Sequence, residues 1–252
     1  MRRRCPPAMH AGFTLVEVAV VAGILGLLAL TMTSAFEGME QARQQNTAQA
    51  HAEAARQALR TFMLRNKRLP CPDNSTYGDR GREANGAGSC PGDLRVGWLP
   101  YESLGLQVPV RSQRLRYGVH RGTNADLVAP LHGAVDGPDL EGTGGLARAL
   151  ATAAQAAPST DQPHYSGAVP ALSSDTCASA EPVNPAFVLA APATDRDVDG
   201  AIHPGFDGPN RGFATSSPCV APPARPATRI YDDVVVAESA TTLLGWLSTA
   251  TR

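Results

Sequence analysis

The chain lacks the short motifs that accompany common catalytic sites. It contains no Gly-x-Ser-x-Gly nucleophile elbow, no His-Glu-x-x-His pair, no phosphate-binding loop and no dinucleotide-binding glycine fingerprint. Its six histidines are scattered rather than grouped. These absences predict a protein that is not an enzyme, and a surface hydrolase within residues 122–229 is the open alternative.

The chain also lacks an excess of positive charge. It carries 22 Lys and Arg against 23 Asp and Glu, a formal net charge of -1 at pH 7. Proteins that bind nucleic acid or anionic membranes without sequence preference rely on a positive surface potential. The composition therefore argues against a general binder of either kind.

Charged side chains are nearly absent between Arg4 and Glu37, where Glu17 stands alone if histidine is taken as neutral. The basic residues 2–4 precede an apolar segment at 13–32. A helix of that length spans about 30 Å, the thickness of a bilayer core. Basic residues remain on the cytoplasmic side. The pattern predicts a single membrane pass with a cytoplasmic N-terminus and an extracytoplasmic head.

Glu17 is costly inside such a segment, at roughly 2.5 to 3.5 kcal/mol near the bilayer centre, so it marks a functional position. A secretory signal cleaved near residues 33–35 is one alternative. An uncleaved membrane anchor is another, and it explains the length but gives no reason for Glu17. A lipoprotein signal does not fit, because Cys5 precedes the apolar run.

Residues 12–17 read Gly-Phe-Thr-Leu-Val-Glu, follow a basic leader and open the long apolar run. This junction resembles the cleavage and methylation signature of type IV prepilins and type II secretion pseudopilins. The resemblance implies that prepilin peptidase cuts after Gly12, removing leader residues 1–12, and methylates the new amine of Phe13. It further implies that Glu17 pairs with the terminal amine of a neighbouring subunit during filament assembly.

The resemblance also implies the partners and the location. The partners are prepilin peptidase, other pilin or pseudopilin subunits and the inner membrane, and the final location is a pilus or a pseudopilus. Many major pilins carry a glycine and then a proline in this helix; Gly26 is present here, but Ser34 stands about where the proline would lie. That departure favours a pseudopilin or a minor pilin.

Neither glycine nor proline occurs from Met39 to Leu69. The anchor helix is therefore expected to continue as an extracytoplasmic amphipathic helix over 33–69 and to end before Pro70, since a residue preceding proline is pushed out of the helical region. Apolar side chains at three- and four-residue steps predict a buried stripe. Its members are Ala48, Ala52, Ala55, Leu59, Phe62 and Met63.

Cysteine is sparse, and no Cys-x-x-Cys pair or matching histidine spacing indicates a metal site. Cys5 belongs to the leader, which leaves an even number of cysteines in an oxidising compartment and predicts two disulfides. Four cysteines allow three pairings. We predict Cys71 with Cys90 and Cys177 with Cys219, each pair bracketing a turn-rich loop.

A second resemblance covers the start of the head. The segments Leu-Pro-Cys-Pro-Asp at 69–73, Gly-Ser-Cys at 88–90, Val-Gly-Trp-Leu-Pro-Tyr at 96–101, Leu-Gly-Leu at 104–106 and Leu-Arg-Tyr-Gly-Val at 115–119 are similar to a group of proteobacterial pilin-like proteins. The fold implied is α+β and pilin-like: a long N-terminal helix, with a membrane-spanning first half, packed on a small antiparallel β-sheet head.

Sequence patterns divide the head, residues 70–252, into short elements and loops. Strands are expected at 114–120, 186–190 and 230–237. Helices are expected at 146–156 and at 240–247, the latter capped by Ser239. Glycine, proline and small polar residues predict irregular loops at about 122–183 and 192–229.

Asp195, Asp197 and Asp199, followed by Gly200, have the opening spacing of a calcium loop. The twelfth position is Phe206 rather than glutamate, although Asp207 follows, and Asp232 or Asp233 could close the site. The major pseudopilin of type II secretion is similar in having a calcium loop before its final strand. Calcium is thus a possible cofactor, and a solvated acidic turn is the open alternative.

Four arginines lie close together in sequence: Arg111, Arg114, Arg116 and Arg121. A minor pilin that binds DNA or a surface ligand through its head is the alternative function that they suggest, with Arg114 and Arg116 on one strand face. Tyr117 is the only aromatic residue between them, and base-stacking surfaces use more. A solvated strand face is therefore expected, with DNA an unlikely partner.

Overall fold

The computed structural model describes residues 14–85, 90–123, 125–129, 145–167, 177, 181–196 and 205–250. The chain divides into two compact units, Met1–Arg43 and Gln44–Arg252. The long helix α1 runs from Leu15 to Asn66. It ends three residues before the predicted boundary, because Lys67 adopts a left-handed conformation with φ of 55° while its N–H bonds to the Met63 carbonyl.

The first part of α1 presents large apolar side chains that are 51 to 89% exposed in the isolated chain. They are Leu15, Val16, Val18, Val20, Val21, Ile24, Leu25, Leu27 and Leu28. Among the residues that the structure describes, no helix is both long and apolar enough to cross a membrane.

The later part of α1 buries the predicted stripe. All six of its members, Ala48, Ala52, Ala55, Leu59, Phe62 and Met63, are buried. The alanines leave room for close approach of other elements, and the larger residues fill the core. This half of α1 is one wall of the principal hydrophobic core.

Four strands form the main antiparallel sheet: β1 (Val96–Trp98), β2 (Arg116–Val119), β7 (Phe187–Ala191) and β8 (Val234–Glu238), in that spatial order. Two short antiparallel pairs lie between them in sequence: β3 (Arg121–Gly122) with β4 (Ala125–Asp126), and β5 (Tyr165–Ser166) with β6 (Pro182–Val183). The α+β arrangement of an N-terminal helix and an antiparallel sheet is therefore present. The part predicted to be irregular contains these two pairs as well as the expected helix.

Alternation along the strands divides the sheet into two buried faces. Tyr117, Phe187 and Leu189 join the core that contains α1. Trp98, Val188, Ala190 and Val235 pack instead in a second core with Phe206, Phe213, Val220 and Tyr231. Gly118 permits this close cover, since a Cβ there would lie 2.7 Å from the Phe213 ring. The segment 205–231 thus covers the face of the sheet opposite the helix.

Two shorter helices complete the first core. They are α2 (Leu146–Gln155) and α3 (Ala240–Ala250), and both were expected from the sequence. The Ser239 hydroxyl accepts the Thr242 N–H at 3.0 Å, which is the predicted N-cap. The large side chains that these helices bury are Leu146, Leu150, Leu243 and Leu247.

Both predicted cysteine pairings are present. Cys71 joins Cys90 and Cys177 joins Cys219, with Cα–Cα distances of 5.5 and 6.0 Å. A buried ion pair supports the first disulfide loop: Arg68 donates to Glu83 at 2.9 Å, and Glu83 accepts the Cys71 N–H at 2.7 Å.

Candidate metal centre and assembly junction

The N-terminal end of α1 begins with a capping box. The Thr14 N–H donates to Glu17 Oε2 at 2.8 Å, and the Glu17 N–H donates to the Thr14 hydroxyl oxygen at 3.3 Å. The Thr14 hydroxyl also donates to Glu17 Oε2 at 2.9 Å. The carboxylate of Glu17 is therefore held against the first residues of the helix, where the helix dipole favours a negative charge.

Gly12 and Phe13, the predicted cleavage and methylation residues, lie outside the described residues. The part played by Thr14 was not predicted from the sequence. Its signal was nevertheless present, since Thr-x-x-Glu before an apolar run is the spacing of a capping box.

Three buried aspartates converge in the head at the end of the long C-terminal connection. Asp207, Asp232 and Asp233 each offer one oxygen, and these oxygens lie within 4.8 Å of one another. Asp207 precedes a single helical turn at Gly208–Gly212, and the other two precede β8. The last strand accordingly begins at Val234 rather than at the predicted position 230, because Asp232 and Asp233 belong to this acid cluster.

The acid cluster is held together by its own backbone. The Asp232 N–H donates to Asp207 Oδ2 at 3.0 Å, and the Asp207 N–H donates to Asp233 Oδ2 at 2.9 Å. Asn210 donates its amide to Asp233 Oδ2 at 2.9 Å and accepts the Ala221 N–H at 2.8 Å. Asn210 thus positions Asp233, a part that no local motif in the sequence indicated.

The positive side chain of Arg196 enters the acid cluster. The Arg196 Nε lies 2.6 Å from Asp232 Oδ2, and the Arg196 backbone N–H donates to Asp207 Oδ1 at 2.8 Å. The Thr194 N–H donates to Asp232 Oδ1 at 3.0 Å. The segment 194–196 is therefore attached to two of the three carboxylates.

Asp233 has an unsatisfied oxygen. Burial raises the pKa of its carboxyl group well above the usual value, and the neighbouring charges of Asp207 and Asp232 raise it further. Its Oδ1 is buried and has no hydrogen-bond partner. A buried acceptor without a partner is unfavourable, so a cation or a proton would be accommodated there.

The acid cluster fits a hard divalent cation. Calcium binds oxygen ligands at about 2.3 to 2.6 Å, so two ligands of one ion lie no more than about 5 Å apart. The three carboxylate oxygens lie within 4.8 Å of one another and so meet this condition. Asp233 Oδ1 has no hydrogen-bond partner that a cation would have to replace. Asp207, Asp232 and Asp233 were predicted ligands and are brought together.

The remaining predicted ligands are not part of this cluster in the described part of the chain. Asp195 lies instead against Gly205, where an added Cβ would be 2.5 Å from the Asp195 Cβ. Asp197 and Asp199 lie outside the described residues. The calcium-loop spacing and the acid cluster therefore involve the same connection, but the carboxylates that converge come from its far end and from the two residues before β8.

The arginines that suggested a DNA-binding face have partners within the head. Arg111 and Arg114 both bind Asp79, and Arg121 binds Asp126 at 2.9 Å. Arg116 lies over the Trp98 ring at 4.0 Å, and burial lowers its pKa to about 10. The prediction that Arg114 and Arg116 share one strand face was wrong. Arg114 follows a helical turn at Arg111–Gln113, and β2 begins only at Arg116.

No protein-family model, curated protein or solved structure matches the chain. The family resemblance therefore rests on the junction at residues 12–17 and on the head segments between residues 69 and 119.

Proposed function

We propose that the chain is a structural subunit of a type IV pilus or a type II secretion pseudopilus and has no catalytic activity. The observation that carries the proposal is the junction at residues 12–17, where a basic leader, a Gly-Phe pair, an acid four residues after the phenylalanine and a long apolar run occur together. An uncleaved anchor or an ordinary signal requires only some of these features.

Two features of α1 support an assembly role. Glu17 is placed by the capping box at the helix start, where its carboxylate lies against Thr14, the residue that follows the amine that cleavage would create at Phe13. The apolar side chains that follow it are exposed in the single chain. A helix of this kind is stabilised by an apolar surrounding, which a membrane supplies before assembly and neighbouring helices supply afterwards.

In this proposal residues 13–32 hold the subunit in the inner membrane and the head faces the periplasm. The basic leader supports that orientation. Two disulfides in the head are in keeping with an oxidising compartment. The final location is the filament.

We further propose that the acid cluster binds calcium. Asp207, Asp232 and Asp233 would hold the ion, which supplies positive charge to three buried carboxylates. Because Asp207 lies near the start of the segment that covers one face of the sheet and Asp232 and Asp233 directly follow its end, bound calcium would stabilise the head. The proposed role of the calcium ion is therefore structural.

The N-terminus of the exported protein tests the central proposal. In cells that contain prepilin peptidase, mass spectrometry is expected to find a chain that begins with methylated Phe13, and cells without the peptidase are expected to retain the leader. A chain that begins at Phe36 would indicate an ordinary signal cleaved after Ala35. A chain that still begins at Met1 in both strains would contradict processing altogether.

A further inference from the structure

The carboxylate of Asp232 is fully engaged within the head. Its Oδ1 accepts the Thr194 N–H at 3.0 Å, and its Oδ2 lies 2.6 Å from the Arg196 Nε. Asp232 is only 1% exposed, so water does not compete for either oxygen. The charge of one proposed calcium ligand is therefore already balanced by a side chain of the same protein.

Arg196 is held less completely than the acid that it neutralises. Its side chain is 17% exposed, and its second polar contact is a donation to the Thr228 carbonyl at 3.0 Å. The backbone N–H of Arg196 separately holds Asp207. The guanidinium can therefore swing toward solvent while the backbone contact is kept.

A divalent cation and this guanidinium cannot share Asp232 favourably. With calcium at about 2.4 Å from Asp232 Oδ2, the two positive centres would lie within about 5 Å of each other in a buried site. Their repulsion is strong where the surroundings are poorly polarisable. The cation must therefore displace the guanidinium to use that oxygen.

We infer that Arg196 is a tethered competitor for the cation site: its guanidinium neutralises Asp232 in the absence of calcium and leaves when calcium binds. This inference rests on the proposed calcium site. Arg196 sets the calcium concentration at which Asp232 exchanges its internal ion pair for a bound calcium ion. The head can then fold before the ion is available, because the buried Asp232 carboxylate is not left without a positive partner.

Calorimetric titration of the full-length protein in detergent with calcium chloride tests the inference. Arg196→Met removes the charge while keeping much of the side-chain volume. Arg229→Met is the matched control, since Arg229 is an exposed residue of the same connection. Arg196→Met is expected to bind calcium about tenfold more tightly or better, in line with the strength of a charge-assisted hydrogen bond, and Arg229→Met is expected to match the wild type.

Equal calcium affinity in Arg196→Met and the wild type would overturn the competition and leave the calcium site standing. Weaker binding by the variant would overturn it as well, since the arginine would then support the site. Absence of binding in every protein would overturn both the competition and the calcium site. If Arg196→Met unfolds without calcium, recovery of its cooperative thermal transition on adding calcium supports the inference, and failure to recover overturns it.

Discussion

Arg60 on α1 and Glu238 at the end of β8 form a nearly buried ion pair. One guanidinium nitrogen of Arg60 lies 2.9 Å from each oxygen of the Glu238 carboxylate. Arg56 approaches the same carboxylate at 3.7 Å, and Arg60 also lies over the Trp246 ring at 5.6 Å. The helix, the last strand and α3 are therefore joined at one charged contact.

Removing the acid from this contact should destabilise the head. Glu238→Gln leaves the Arg60 guanidinium without its charged partner, and loss of one member of a buried pair costs about 3 to 5 kcal/mol. Glu53→Gln is the matched control, because Glu53 pairs with Arg56 at 2.6 Å but is 40% exposed, and such pairs contribute less than about 1 kcal/mol. Urea unfolding followed by circular dichroism measures both. Equal losses would show that burial of the pair does not matter.

Two substitutions separate the capping role of Glu17 from its charge. Glu17→Ala removes both, whereas Glu17→Gln keeps an oxygen acceptor for the Thr14 N–H and loses only the charge. Both variants are expected to be cleaved largely as the wild type and to enter filaments poorly, since the proposed partner is a charged amine. Immunoblots of sheared filaments measure incorporation. Normal incorporation of Glu17→Gln would show that capping alone is required.

The first disulfide should contribute measurably to stability. The double substitution Cys71→Ala with Cys90→Ala releases a loop closed over a sequence separation of 19 residues, and the expected loss is about 2 to 4 kcal/mol in the free energy of unfolding. Cys5→Ala is the control, since Cys5 lies in the predicted leader. Intact mass of the exported protein is expected to show no free thiols. Four free thiols would contradict both disulfides.

His120 should make the stability of the head depend on pH. It is 4% exposed, and burial lowers its pKa; Asp126 opposes this shift and Arg95 adds to it. The unfolded chain therefore takes up a proton on this side chain near pH 6.5, where the folded chain does not. The stabilisation is present above that pH and is lost as pH falls toward the lowered pKa.

The measurement is the urea midpoint between pH 7 and pH 5. His120→Gln is expected to show a shallower decline than the wild type, by at most about 1.4 kcal/mol per pH unit. His51→Gln controls for the loss of a histidine in a less buried position on α1. If His120→Gln and the wild type decline in parallel, another group controls the acid sensitivity.

Local patterns predicted most of the elements. The stripe from Ala48 to Met63, the helix at Leu146 and the Ser239 cap follow from spacing and capping, which act within a few residues. The cysteine pairings were also predicted correctly, since each cysteine bonds to the next one along the head, at sequence separations of 19 and 42.

The residues at which helices and strands begin and end were less predictable from the sequence. α1 ends at Asn66 rather than before Pro70, because Lys67 turns the chain and Arg68 reaches the distant Glu83. β8 begins late because two aspartates turn away from the strand into the acid cluster. Contacts between residues far apart in sequence decided each of these positions.

By itself, the sequence determined the chemistry of the chain's beginning: a basic segment, a Gly-Phe pair, a capping threonine and one acid in an apolar run all lie within 17 residues, and their relations need no distant partner. Only the tertiary structure decided which aspartates converge. Asp207 meets Asp232 and Asp233 across more than twenty residues, and Arg196 reaches the same site from another segment. Folding of that connection over the sheet brings these charges together, and no spacing along the chain specifies it.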